Sequence, residues 1–299
     1  MIRLFIILLP LITAALAHFE ARHLHPVDIT PDGSCVLAVN APGGFLSVFT
    51  PGSGANPAPL LVEEIPVGLE PVTVRARTAN EAWVVNEVSD SISVIDLARR
   101  TVVCTLPVPD EPADVAFNGD RAFVSCGRAN RIAVFDTTTR AEIASIPLEG
   151  HFVRALSLSP DGSTLRAAFL LSGNRTTILG FRDAPPQPAP ANPALPPPPA
   201  TALIVPDSDP RIPYEVTDHD VAEIDTATLQ VTGYRSGLGT NLHALAHSPD
   251  GTLWAAASEA RNVIRFEPSL NGIFAKSRVA RMPATGGESF IDLNPQATT

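Results

Sequence analysis

Ala82-Trp83-Val84-Val85-Asn86, a polar break, and then Ser91-Ile92-Ser93-Val94-Ile95-Asp96 form two short apolar runs too close together for helices. Runs of five or six residues rich in β-branched and aromatic side chains, bounded by turn residues, read as strands. The same pair returns as Ala122-Phe123-Val124-Ser125-Cys126 followed by Arg131-Ile132-Ala133-Val134-Phe135-Asp136. Upstream of each pair lies an inner apolar triplet, Val72-Thr73-Val74 and Ala113-Asp114-Val115. Further triplets stand at His25-Pro26-Val27, Arg154-Ala155-Leu156 and His243-Ala244-Leu245, and two of the steps between triplets are 41 residues each. A period of ~40 to 45 residues is that of a four-stranded propeller blade.

Each unit repeats one local grammar. The first strand runs into a turn at Thr30-Pro31-Asp32-Gly33, Ser159-Pro160-Asp161-Gly162 and Ser248-Pro249-Asp250-Gly251. Proline presets one φ, aspartate accepts nearby amides and glycine tolerates positive φ. The third strands end on Asp96, Asp136, Asp225 and Glu267, with Thr50 in the first unit. A carboxylate there is expected to cap the following turn. Fourth strands are expected at Thr101 to Val108, Ala141 to Leu148, Leu229 to Tyr234 and Ser277 to Met282. The predicted fold is therefore all-β, a propeller of four-stranded blades with five recognisable units.

These segments, from Pro71 to Asp96 and Pro112 to Asp136, resemble the bacterial YVTN-type β-propeller family, which includes surface-layer-like and YncE-like proteins. The resemblance implies an exported protein, commonly with seven blades. It also implies competing roles: binding of extracellular partners, lactonase activity, or association with cytochrome domains. Five units leave closure open between a five-bladed ring, an incomplete chain and strands too diverged to read, with an incomplete or irregular propeller preferred. An open ring exposes an apolar blade face and calls for a partner or an oligomer.

Export is read from the first residues. Arg3 precedes the apolar run Leu4 to Leu16, and Ala15-Leu16-Ala17 is a small-x-small cleavage site, so residues 1–17 are expected to be a signal peptide and 18–299 the propeller. The run is shorter than the ~20 residues of a membrane span, so no transmembrane anchor is expected after cleavage, and the location is periplasmic or extracellular. Residues 171–217 interrupt the fourth unit, and their stretch Pro185 to Pro199 holds nine prolines, which favour an extended loop. Residues 283–299 read as a polar tail. The net charge of -10 argues against a nucleic-acid surface. Protein or a cell-envelope polymer is the expected partner.

Cys35, Cys104 and Cys126 lie in strand-like runs and read as unreactive thiols. There is no Cys-x-x-Cys-His for covalent c-type haem, no phosphate loop and no dinucleotide fingerprint, and no cofactor is predicted. Asp218-His219-Asp220 is the candidate for a divalent cation, although in an extended strand the two carboxylates face one side and the imidazole the other. His25, Arg154 and His243 occupy matching positions at the starts of inner strands and are the candidates for binding an anionic group at one mouth of the central channel. The expected function is a noncatalytic binding or assembly scaffold. The alternatives are a lactonase-like hydrolase using a polar channel site and an accessory to a cytochrome-type redox partner.

Overall fold

A computed structural model describes residues 23–54, 57–184, 192–194, 196, 202–262 and 273–295. The expected leader 1–17, Glu267 and most of the proline-rich stretch lie outside them. The chain order of strands is β1 (Val27–Ile29), β2 (Val36–Asn40), β3 (Phe45–Thr50), β4 (Leu60–Pro66); β5 (Pro71–Ala76), β6 (Glu81–Asn86), β7 (Ser91–Asp96), β8 (Thr101–Pro107); β9 (Pro112–Asn118), β10 (Arg121–Cys126), β11 (Arg131–Asp136), β12 (Glu142–Pro147). It continues with β13 (Val153–Leu158), β14 (Thr164–Phe169), β15 (Thr176–Leu179), β16 (Leu203–Pro206), β17 (Val221–Asp225), β18 (Gln230–Arg235); β19 (Asn241–His247), β20 (Leu253–Ala260), β21 (Ala275–Met282) and β22 (Ser289–Asp292).

These strands form five four-stranded antiparallel sheets, or blades, and one two-stranded hairpin, β15–β16. Four blades use consecutive strands. The fourth uses β13-β14-β17-β18, with the hairpin carried between its second and third strands. Local chemistry explains the turns. Asp32, Asp161 and Asp250 each accept an amide two residues on, from Ser34, Ser163 and Thr252, and Gly33, Gly162 and Gly251 carry the positive φ. Asp96, Asp136 and Asp225 accept the amides of Arg99, of Thr138 and Thr139, and of Ala227 and Thr228, so the acids cap the turns after the third strands.

The fifth blade differs from the sequence expectation. Ser277 to Met282, expected as its fourth strand, belongs to the third strand β21, which pairs with β20 over eight residues from Leu253↔Met282 to Ala260↔Ala275. The fourth place is taken by β22, inside the segment expected to be a polar tail. Alternation of charged and apolar residues in Lys276 to Met282 looks like an exposed edge. Ala280 and Met282 are nevertheless buried, because they face the preceding blade.

Blades pack through apolar layers between successive sheets. Trp83, Val85 and Val94 of the second blade meet Val115, Val124 and Phe135 of the third, with Trp83 edge-on to Phe117. Phe123, Val134 and Ile146 meet Leu156, Leu165 and Phe169. Cys126 is fully buried in the first of these layers, and burial pushes its thiol up to about 11. Cys35 and Cys104 are half-buried, and all three thiols are free. Among the described residues, no helix is long and apolar enough to cross a membrane.

Candidate functional site: an axial cavity and a buried acid pair

Four of the five inner strands share one irregularity. Pairing between first and second strands shifts register at Pro71/Thr73, Val124/Cys126, Val153/Leu156 and Leu242/Ala244. Such bulges leave backbone groups without ladder partners, and buried ones must bond elsewhere. Side chains of the neighbouring blade supply the bonds. The Thr73 hydroxyl donates to Ala113 O at 2.8 Å, and the Ser125 hydroxyl donates to Arg154 O at 2.6 Å while accepting from Asp114 N.

Asp114, fully buried, is the hub. Its Oδ2 accepts from Leu156 N at 2.8 Å and its Oδ1 from Val115 N at 2.9 Å. Oδ1 also lies 3.1 Å from His25 Nδ1 and 3.6 Å from Arg75 Nε. Burial would raise this carboxyl, but the charges of Arg75 and His25 and the hydrogen bonds outweigh it and hold the carboxyl below the usual range. Arg75 Nη2 is 2.9 Å from His25 Nε2. Nη2 is also 2.8 Å from Nδ1, so the guanidinium faces both ring nitrogens.

A cavity of about 460 Å³ opens beside this hub and is lined by all five inner strands and the residues that flank them. Its polar lining is His25, Asp28, Arg75, Arg77, Ser157 and His247; Phe117, Leu156, Leu158 and Leu245 are among its apolar walls. Of the three residues expected at the channel mouth, the structure brings only His25 to this lining. Arg154 is buried and donates to Glu87 at 3.1 Å, an ion pair that joins the fourth and second blades, which are not neighbours. His243 is exposed, with Nε2 3.3 Å from Ser258 Oγ. The polar wall lies three positions further along the strands, at Asp28, Arg75 and Ser157. That shift is available in the repeat alignment, but which of the aligned positions face the cavity is not.

His247 and Ser157 resemble a base and nucleophile, with Nδ1 2.8 Å from Oγ. The third group decides otherwise. Arg166, paired with Glu223 at 3.0 Å, places Nη1 2.7 Å from His247 Nε2. Guanidinium only donates, so Nε2 must accept. Burial, with the Arg166 charge, brings His247 down to about 4, so the ring is neutral at physiological pH and its proton sits on Nδ1, directed at Ser157. A general base needs that nitrogen empty and a carboxylate behind the ring. Here the nitrogen facing the serine carries the proton, so the ring cannot take the proton of Ser157.

The other end of the fourth blade holds the acids. Asp220 is fully buried; its Oδ2 accepts from Leu238 N, and its Oδ1 has no hydrogen-bond partner. Asp218 is nearly buried and neither carboxylate oxygen has one. Burial, reinforced by the Asp218 charge, pushes Asp220 up to about 6, and burial raises Asp218 as well. His219 turns outward, stacking on Tyr234 at 3.9 Å between ring centroids, with Nδ1 on Glu149 O. The sequence triplet therefore does not converge, as the alternation of an extended strand dictates. Among the described residues, no group of three or more His, Cys, Asp or Glu is placed to hold a metal ion.

With this geometry established, the chain is of the β-propeller type, and solved structures share its fold. It is similar to hydrazine synthase of Kuenenia stuttgartiensis, with a TM-score of 0.69 and 20% identity over 94% of this chain and 69% of that one. A putative 6-phosphogluconolactonase from Bacteroides uniformis gives 0.54 and 15% over 89% and 69%. The WD40 β-propeller domain of Doa1 gives 0.51 and 10% over 77% and 58%. No family model matches the chain, and no curated protein matches it in sequence. At these identities the likeness concerns fold alone.

Proposed function

We propose that the chain is an exported, noncatalytic binding scaffold whose axial cavity receives an acceptor-bearing group, such as a carboxylate, from a protein or a cell-envelope polymer. The observation that supports this is the set of groups on the lining: Ser157 against a histidine that cannot act as its base, with the guanidinium groups of Arg75 and Arg77 beside it. Fixed donors around a part-apolar cavity suit recognition, since they need no reorganisation when an acceptor arrives. The lactonase-like alternative would require a group to activate water, and the Ser157–His247 pair is wired in the opposite sense.

Two measurements on the purified protein test the reading. A panel of small mono- and dicarboxylates, followed by calorimetry and thermal shift, is expected to show saturable binding that Ser157→Ala weakens about tenfold, in line with loss of one hydrogen bond to a charged group. Lactones with and without divalent metals are expected to hydrolyse at the buffer rate. Enzymatic turnover that His247→Ala abolishes would overturn the proposal, as would carboxylate binding that Ser157→Ala leaves unchanged.

A further inference from the structure

Every joint between blades is built the same way: one face of a blade packs on the opposite face of the next. In the first joint Leu37, Leu46, Val48 and Ile65 of the first blade meet Val74, Ala82, Val84 and Ile95 of the second. In the last, Ala168, Val221 and Leu238, in and beside the fourth blade, meet Leu245, Leu253 and Ala255 of the fifth. Among the described residues two faces therefore remain, the outer face of the first blade and the outer face of the fifth.

Cross-strand register identifies what they present. On the first blade Val27 lies opposite Ala38, Ile29 opposite Val36, Val36 opposite Phe49, and Phe49 opposite Leu61. Val27 and Ile29 are 56% and 55% exposed and Leu61 48%. On the fifth, Ala246 lies opposite Trp254, and Ala244 and Val279 flank Ala256, with Ile291 opposite Val279 and 50% exposed. The burial of inner strands agrees. Pro71–Val74, Pro112–Val115 and Val153–Leu156 are each buried without a break, whereas β1 has no buried residue and β19 only Leu242 and Leu245.

The two faces also differ in charge. Glu64 stands opposite Ser47 on the first, and Arg281 lies 5.7 Å from the Trp254 ring centroid on the second. We infer that these faces are the two halves of a fifth joint of the same construction, formed between two copies of this chain, the fifth blade of one against the first blade of the next. The occupant is a second copy because each face is of the kind that covers the other at every joint inside the chain, with Glu64 and Arg281 adding opposite charges. Unlike faces in contact make a heterologous, head-to-tail association. This inference is independent of what the axial cavity binds.

Sedimentation velocity of the full chain over a wide concentration range tests it. The wild type is expected to self-associate with concentration, and Ile29→Glu or Arg281→Glu to raise the apparent dissociation constant at least tenfold with circular dichroism unchanged. Combining Glu64→Arg with Arg281→Glu is expected to restore association, because the charges are exchanged across the joint. A monomer at every concentration would overturn the inference, whether its faces close on each other or take a different protein. So would association that Glu64→Arg weakens but Arg281→Glu does not, which would mark a symmetric contact of first blades.

Discussion

Replacing Asp114 with alanine is expected to destabilise the protein by about 3 to 5 kcal/mol, the range for removing one partner of a buried charge cluster. The substitution removes the acceptor for Leu156 N, Val115 N and His25 Nδ1 and leaves the Arg75 guanidinium, whose Nε is already without a hydrogen bond, beside an apolar methyl group. Leu156 N belongs to the neighbouring blade, so the loss falls on the joint between third and fourth blades as well as on the cavity wall. Urea unfolding at pH 7 measures it, and a difference below about 1 kcal/mol would show that the cluster does not carry that joint. The sign with pH follows from the depressed carboxyl. Its contribution is present above the unfolded value near 3.8 and is lost as pH falls through the lower folded value, so wild type and variant converge only in strong acid.

Asp220→Asn is expected to act in the opposite direction, stabilising the protein at pH 7.5 by about 2 to 3 kcal/mol. The folded value of about 6 lies above the ordinary 3.8, so the folded state binds the proton more tightly than the unfolded chain. Stability therefore falls as pH rises from about 4 to about 6, and above that the full cost of a buried, incompletely bonded carboxylate remains. A rise from 3.8 to about 6 corresponds to about 3 kcal/mol. Asparagine keeps an oxygen to accept from Leu238 N and removes the charge that also faces Asp218. Thermal denaturation of both proteins between pH 4 and 8 is the measurement. The curves are expected to meet near pH 4 and separate by pH 7; parallel curves would sink the assignment of the buried charge to Asp220.

The parts of the fold that the sequence discloses are those with local causes. Turn residues at Pro31-Asp32-Gly33 and its two counterparts act within four residues of themselves, and the acids Asp96, Asp136 and Asp225 cap their own turns. The fifth blade departs from its sequence pattern because Lys276 to Met282 alternates like an edge strand while its register is set by β20, 22 residues from Leu253 to the start of β21. The axial site departs from the repeat alignment for a related reason. His25, Arg154 and His243 align in the repeat, yet Arg154 is taken by Glu87, 67 residues away in sequence and two blades away.

Chemical roles are less legible than positions. Nothing in the sequence singles out Ser157 and His247, and even their proximity suggests a nucleophile and base until Arg166 is placed behind the ring. The alternation rule does foresee that His219 turns away from Asp218 and Asp220, because side-chain direction along a strand has period two.

The strand repeat, its turns and caps, and the insertion point in the fourth unit are thus written in the sequence, since they depend on spacing and on backbone preferences a few residues long. Three further properties emerge only from the folded arrangement: which side chains meet at the axis, on which nitrogen His247 carries its proton, and that among the described residues nothing covers the outer faces of the first and fifth blades. Those outcomes depend on contacts between residues tens of positions apart, where burial and the charge of a distant neighbour, not the local pattern, set the chemistry.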